Sequence, residues 1–239
     1  MQYYTPKSFS EAIEISRGAK GITRFLAGGT DVLVQLRADI LTPDVLIDIK
    51  KIPEVGDILK NSDGSWRIGA AVPGAQLNEQ KDLKAQWPGV VEAMDLIGST
   101  QVQGRATLVG NLCNGSPAAD SVPALIAAGA SVTIISPNGS RDVPVEDIPH
   151  SPGKTTLEKG ELISAINLPK RNTNGGDAYL RLIPRTEMDI AVVGCGVNLS
   201  VKEGIVSDAR VSLGAVTAKV ILVKEAADAI IGTSLDDKA

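Results

Sequence analysis

From about residue 161 the hydrophobic pattern of this 239-residue chain changes kind, and that change limits the folds open to it. Before that point strand-like runs alternate with helix-like ones. "ITRFLA" (22–27), "DVLIDIK" (44–50) and "SWRIGAAV" (65–72) read as strands, while "PGVVEAMDLIGS" (88–99) repeats Val90, Met94 and Ile97 along one helix face. After it, "ELISAINLP", "DAYLRLIP", "IAVVGCGVNLSV" and "IVSDARVSLGAV" follow one another, with Lys202 to Gly204 as a turn, and read as an antiparallel meander. A last helix, "VILVKEAADAII", carries Val223, Ala226, Ala227 and Ile230 as its inward stripe. The fold class is therefore α+β, with polar breaks near residues 56 and 173 dividing the chain into 1–56, 57–172 and 173–239.

Within the first segment, Ser8 with Glu11 three residues on predicts a capped helix carrying Phe9, Ala12 and Ile13 on its apolar side. "FLAGGTDVLVQLRADI" then sets Gly28 and Gly29 between a strand and a helix whose Val32, Leu33 and Leu36 face inward, with Thr30 or Asp31 as cap. Two glycines at such a junction satisfy either a tight turn or the close approach of an anion to bare backbone N–H groups. "GRATLVGNLCNGSPAADSVPALIAAGASVTI" (104–134) supplies a second small-residue loop, with Asp120 either capping the next helix or accepting from a ribose or adenine donor. The two loops together suit a diphosphate.

Several chemistries are excluded. A net charge of −4 with scattered Lys and Arg argues against nucleic acid. No apolar run is long enough to span a membrane, and the opening lacks the basic and apolar parts of a signal peptide, so a cytoplasmic location is expected. Cys113, Cys195 and the single His150 cannot build a zinc or iron–sulfur site, so no metal site is expected in this chain. Cys113 reads as a small buried filler and His150 as part of a proline-flanked surface loop. "GCGVNL" (194–199) lacks the final glycine of a dinucleotide fingerprint and falls inside a strand, and there is no phosphate-binding G-x-x-x-x-G-K-[ST].

The ordered set "LAGGTDVLV", "ATLVGNLCNGSPAADS" and "AYLRLIPRTEMDIAVVGCGV" resembles the FAD-binding medium subunits of the molybdenum hydroxylases, the xanthine dehydrogenase and carbon monoxide dehydrogenase family, from residue 1 to about 216. The resemblance implies a two-subdomain FAD-binding fold of the PCMH type followed by an antiparallel sheet-plus-helix domain. That last domain stops about one helical segment before such relatives do. It also implies non-covalent FAD, held by Leu26, Ala27, Gly28, Gly29, Thr30 and Asp31 in one loop and by Thr107, Gly110 and Asn111 in the other. Ser116 and Asp120 would reach the ADP part, and Ile163 and Arg181 match further cofactor-contacting positions. Arg181 would favour the anionic reduced flavin by Coulomb attraction. Relatives carry two glycines where this chain has Val109-Gly110. The implied role is electron transfer, from [2Fe-2S] clusters of a small partner subunit, fed by a molybdenum-pterin centre in a large one, to an external acceptor. Catalytic side chains are not expected here. A self-contained flavin oxidase, or a non-catalytic nucleotide-binding assembly protein, would share the two loops.

Overall fold

The computed structural model describes residues 1–186 and 188–236. Glu187, inside the third family-like stretch, and residues 237–239 lie outside the described residues. The first sheet is parallel: β1 (Gln2–Tyr4) and β2 (Thr23–Leu26) flank β3 (Val45–Asp48), with α1 (Phe9–Gly18) and α2 (Val32–Arg37) as crossovers. Ser8 caps α1 by accepting from the Glu11 N–H at 3.2 Å, and the Glu11 carboxylate accepts from the Lys7 N–H at 2.7 Å, one residue earlier than in a reciprocal box. Ala12 and Ile13 are buried, with Phe9 at the core's edge.

α2 corrects the sequence expectation. None of its residues is buried, and Leu33 is 50% exposed. Helical spacing identifies a common face but not what meets it; here the helix forms the rim of a cavity instead of covering a sheet.

The second sheet is antiparallel in the order β4-β5-β10-β6-β7. β4 (Ile58–Lys60) and β5 (Trp66–Gly69) lead into six helices: α3 (Gly74–Asn78), α4 (Lys81–Gln86), α5 (Pro88–Asp95), α6 (Thr100–Gln103), α7 (Leu108–Cys113) and α8 (Ser121–Ala127). The hairpin β6 (Ser131–Ser136) and β7 (Gly139–Pro144) forms as the sequence suggests, but its two-residue turn is Pro137-Asn138, one residue before the expected Asn138-Gly139, because Gly139 already pairs with Ser136. A small pair, β8 (Pro149–Ser151) and β9 (Lys154–Thr155), precedes β10 (Leu162–Leu168). β10 therefore does not open the C-terminal meander. It sits at the centre of the second sheet, buried at every position but Asn167, which explains why five of its seven residues are apolar. One core joins the first two segments, running from Ile13 and Ile47 through Ile68, Met94 and Leu125 to Ile166.

The third sheet orders β11 (Gly175–Leu182), β12 (Val193–Lys202), β13 (Ile205–Gly214) and β14 (Ile221–Leu222), all antiparallel. On one face α9 (Lys224–Ile230) covers Val206, Ala209 and Val211 with Ala226, Ala227 and Ile230, the expected stripe. Val223 stands just ahead of the helix and donates its N–H to the Val211 carbonyl at 2.8 Å. The other face lies against α8. A Cβ on Gly196 would come within 2.4 Å of the Pro123 carbonyl oxygen, and one on Gly194 within 2.5 Å of the Tyr179 hydroxyl, so in "GCGV" Gly196 admits the backbone of α8 and Gly194 the ring of Tyr179.

Candidate functional site

β2 ends at the buried Leu26 and delivers Ala27 to Asp31 as the turn into α2. Each glycine of the pair has its own structural reason. A Cβ on Gly28 would stand 1.8 Å from the Arg105 carbonyl oxygen, so the backbone entering the second loop passes directly against it. Gly29 has φ +82°, and its Cβ would meet the Leu26 and Leu33 side chains at 2.9 and 3.0 Å. What comes so close to the pair is thus the chain itself. Among the described residues no acceptor takes the backbone N–H of Gly29, Thr30 or Asp31. The loop is held from behind by Lys50, whose ammonium donates to the Ala27 carbonyl at 3.0 Å and pairs with Asp48 at 2.7 Å. Tyr3 donates to the other Asp48 oxygen at 2.6 Å. Burial alone would raise the Asp48 pKa, but these bonds outweigh it and hold the carboxyl below its ordinary range.

The second motif is a helix where the sequence suggested a loop. Thr107, 2% exposed, caps α7 by accepting from the Gly110 N–H at 2.9 Å. Asn111, one turn on, points its amide oxygen at Ser121, which donates its hydroxyl at 2.7 Å and its N–H at 3.3 Å. Asn114 ties the two motifs together, donating to Asp31 at 3.3 Å and accepting from Gln35 at 3.2 Å. The Ser116 hydroxyl accepts from the Ala118 N–H.

Asp120 does not cap α8: it stands at the start of that helix without a capping bond from its side chain. Its two oxygens accept instead from the Tyr179 hydroxyl at 2.9 Å and from Arg181 at 3.0 Å. Burial raises the pKa of both Asp120 and Tyr179. Arg181 is thereby charge-paired, which removes the bare cation on which the Coulomb argument for a reduced flavin rested.

Between the two motifs lies a cavity of about 780 Å³. Ala27, Gly28, Gly29, Thr30 and Asp31 line one side, and Thr107, Gly110, Asn111 and Ile163 also reach it. Leu26, Ser116, Asp120 and Arg181 are not part of its wall. Desolvation raises the pKa of Asp31. The wall also includes Gln35 and Asn114, which sequence reasoning missed; only their polarity beside glycine-rich turns hinted at them. Cys113 and His150 border it as well. Burial pushes the Cys113 thiol up to about 12, and the exposed His150 belongs to β8, not to an irregular loop. Among the described residues no group of three or more His, Cys, Asp or Glu could hold a metal ion. No helix among them is long and apolar enough to cross a membrane.

Residues 1–171 match the family described as the FAD binding domain in molybdopterin dehydrogenase, and residues 178–239 match the CO dehydrogenase flavoprotein C-terminal domain. The chain is 34% identical over 192 residues to the putative xanthine dehydrogenase FAD-binding subunit of Escherichia coli K12, covering 80% of this chain and 66% of that subunit, just under two thirds of its length. It is 32% identical over 212 residues to the carbon monoxide dehydrogenase medium chain of Hydrogenophaga pseudoflava, covering 89% of this chain and 73% of the relative. A solved carbon monoxide dehydrogenase from the same organism, lacking the molybdenum-pyranopterin moiety, superimposes with a TM-score of 0.94 at 30% identity, over all of this chain and 82% of the other. Matches along residues 1–171 and 178–239, on a chain whose two motifs abut at a cavity, place it in the family of FAD-binding medium subunits of the molybdopterin dehydrogenases.

Proposed function

We propose that this chain holds FAD in the cavity between its two motifs and works as the electron-transfer subunit of a molybdenum hydroxylase. The observation that carries the reading is the set of unclaimed N–H donors of Gly29, Thr30 and Asp31, residues that line a cavity of about 780 Å³, within the usual size of cofactor sites. Such donors suit the diphosphate, which needs several hydrogen bonds and no side chain in the way. Ala27 to Asp31, Thr107, Gly110, Asn111 and Ile163 hold the cofactor directly. Leu26 packs beneath the first loop, while Ser116, Asp120 and Arg181 act from behind the wall by fixing the start of α8. FAD, when bound, supplies the ability to accept electrons singly and release them as a pair. The protein binds and orients it; no acid, base or nucleophile of this chain is assigned.

The partners in this reading are a small subunit carrying [2Fe-2S] clusters and a large subunit carrying the molybdenum-pterin centre, with an external acceptor beyond. The names of the relatives, a "medium chain" and an "FAD-binding subunit", support a multi-subunit setting. The reading also takes 1–56 and 57–172 as the two halves of the cofactor-binding part and 173–239 as the third unit, in keeping with the three main sheets. The cytoplasmic location expected from the sequence belongs to the same proposal. The test is the visible spectrum of the purified chain with chromatography of the released cofactor, followed by co-expression with candidate small and large subunits. Bound FAD and a co-purifying three-subunit complex are expected. A chain that cannot be loaded with FAD overturns the reading.

A further inference from the structure

Asn111 and Ser121 form a pair whose chemistry leaves only one orientation for the amide. The atom of Asn111 that faces Ser121 meets the Ser121 backbone N–H at 3.3 Å, and a backbone N–H can only donate. That atom is therefore the amide oxygen, and the Ser121 hydroxyl adds a second donor to it at 2.7 Å. Because Asp120 has turned its carboxylate to Tyr179 and Arg181, the first N–H of α8 is satisfied from outside its own segment, by an amide projecting from α7. The amino group of Asn111 is left on the opposite side. No described residue accepts from it, and Asn111 is part of the cavity wall. Ser121 itself is fully buried and is not part of that cavity's wall.

We propose that Ser121 is a positioning residue for the cofactor site: by clamping the amide oxygen of Asn111 with two donors, it commits the Asn111 amino group to donate into the cavity, to an acceptor oxygen or nitrogen of bound FAD. The inference rests on the cofactor assignment made above. It separates two properties of one side chain. The oxygen of Asn111 serves the fold by capping α8, and its nitrogen serves the ligand. Aspartate at position 111 would retain the first property and lose the second, because a carboxylate still accepts from Ser121 but offers the cavity no donor.

The experiment measures FAD affinity of the flavin-stripped chain by quenching of flavin fluorescence, alongside thermal unfolding without flavin. Asn111→Asp is expected to weaken FAD binding about tenfold or more while unfolding near the parent temperature. Ser121→Ala is expected to weaken it several-fold, and Ser121→Cys, which preserves the shape of the buried site with a poorer donor, to fall between. The decisive readout is the cycle with Asn111→Ala: if Ser121 acts through Asn111, adding Ser121→Ala to that variant changes FAD affinity no further. Additive losses, or an Asn111→Asp protein that binds FAD as the parent does, overturn the proposal. If the parent itself takes up no FAD, the cofactor assignment fails and this inference with it; parent binding with unaffected variants sinks the inference alone.

Discussion

A methyl group on Gly28 would overlap the Arg105 carbonyl oxygen at 1.8 Å, whereas one on Gly29 would force an L-residue to hold φ +82° against two leucines. Gly28→Ala should therefore lower the stability of the flavin-free protein by about 1–3 kcal/mol through overpacking, and Gly29→Ala by about 1–2 kcal/mol through backbone strain. Urea unfolding of flavin-free protein checks both; a Gly28→Ala variant as stable as its parent would mean that the two motifs do not abut as described. Loss of FAD by such variants cannot by itself identify a ligand contact, because both glycines answer to the protein's own backbone first. Asp48 gives a second prediction at this scale. Its folded pKa lies below the unfolded one, so its charge contributes stability above the unfolded value, and the contribution is lost as pH falls through the folded value, below about 4. Asp48→Asn should lower the melting temperature near pH 7 and flatten its fall at acid pH. An acid limb identical to the parent's would show that Tyr3 and Lys50 do not tune this carboxyl.

Among the elements, α8 is the hinge-pin of the arrangement: it backs onto the third sheet at Gly196, donates its first N–H to Asn111 on α7, and has Asp120 at its start. Its apolar sequence announces a buried helix, and all its residues are buried, but only the packing reveals that the strand facing it must be glycine at position 196. Gly196→Val would drive a side chain into the Pro123 carbonyl, 2.4 Å from where its Cβ would sit. The expected cost is about 1–3 kcal/mol. It should appear in hydrogen exchange as faster opening of α8 and β12 together, while β1 to β3 keep their protection. Uniform loss of protection across all three sheets would argue against a local joint. α2 teaches the converse point. Its stripe of Val32, Leu33 and Leu36 has helical spacing, yet the helix borders a cavity, so amphipathic pattern alone assigned it the wrong neighbour.

At the scale of the whole molecule, the third sheet is fastened to the rest by arginines. Arg171, in the polar stretch between the second and third sheets, pairs with Asp177, donates to the Gln86 carbonyl at 2.6 Å and stacks over Trp87 at 4.6 Å from the ring centre. Asp177 in turn accepts from the Val90 N–H at 3.2 Å, where Gly89 lets α5 approach β11. Arg210 reaches back to the Ile126 carbonyl and Glu146, and Arg181 to Asp120. Arg171→Met leaves the Asp177 carboxylate buried without its partner and should destabilise the protein by about 3–5 kcal/mol. Limited proteolysis should then cut within residues 169–176, and adding Asp177→Asn should restore part of the resistance. Cleavage no faster than in the parent would show that this pair does not fasten the sheet.

The order and type of most elements, the capped start of α1, the β6–β7 hairpin, though not the position of its turn, and the existence of two glycine-bearing motifs were legible in the sequence, because periodicity, capping and turn chemistry act over a few residues. The family resemblance was legible for a related reason, since its motifs are short and their order survives. What only the tertiary structure decided is which distant group each local feature meets. β10 continues the strand pattern of the C-terminal meander yet pairs with β5 and β6; Asp120 stands where a cap would stand yet binds Tyr179 and Arg181; and Asn111, read as a loop residue near the cofactor, caps α8 with its amide oxygen while lining the cavity. Hydrogen bonds and burial are settled by partners tens of residues away, brought together by the packing of the whole core, and local spacing carries no record of those partners.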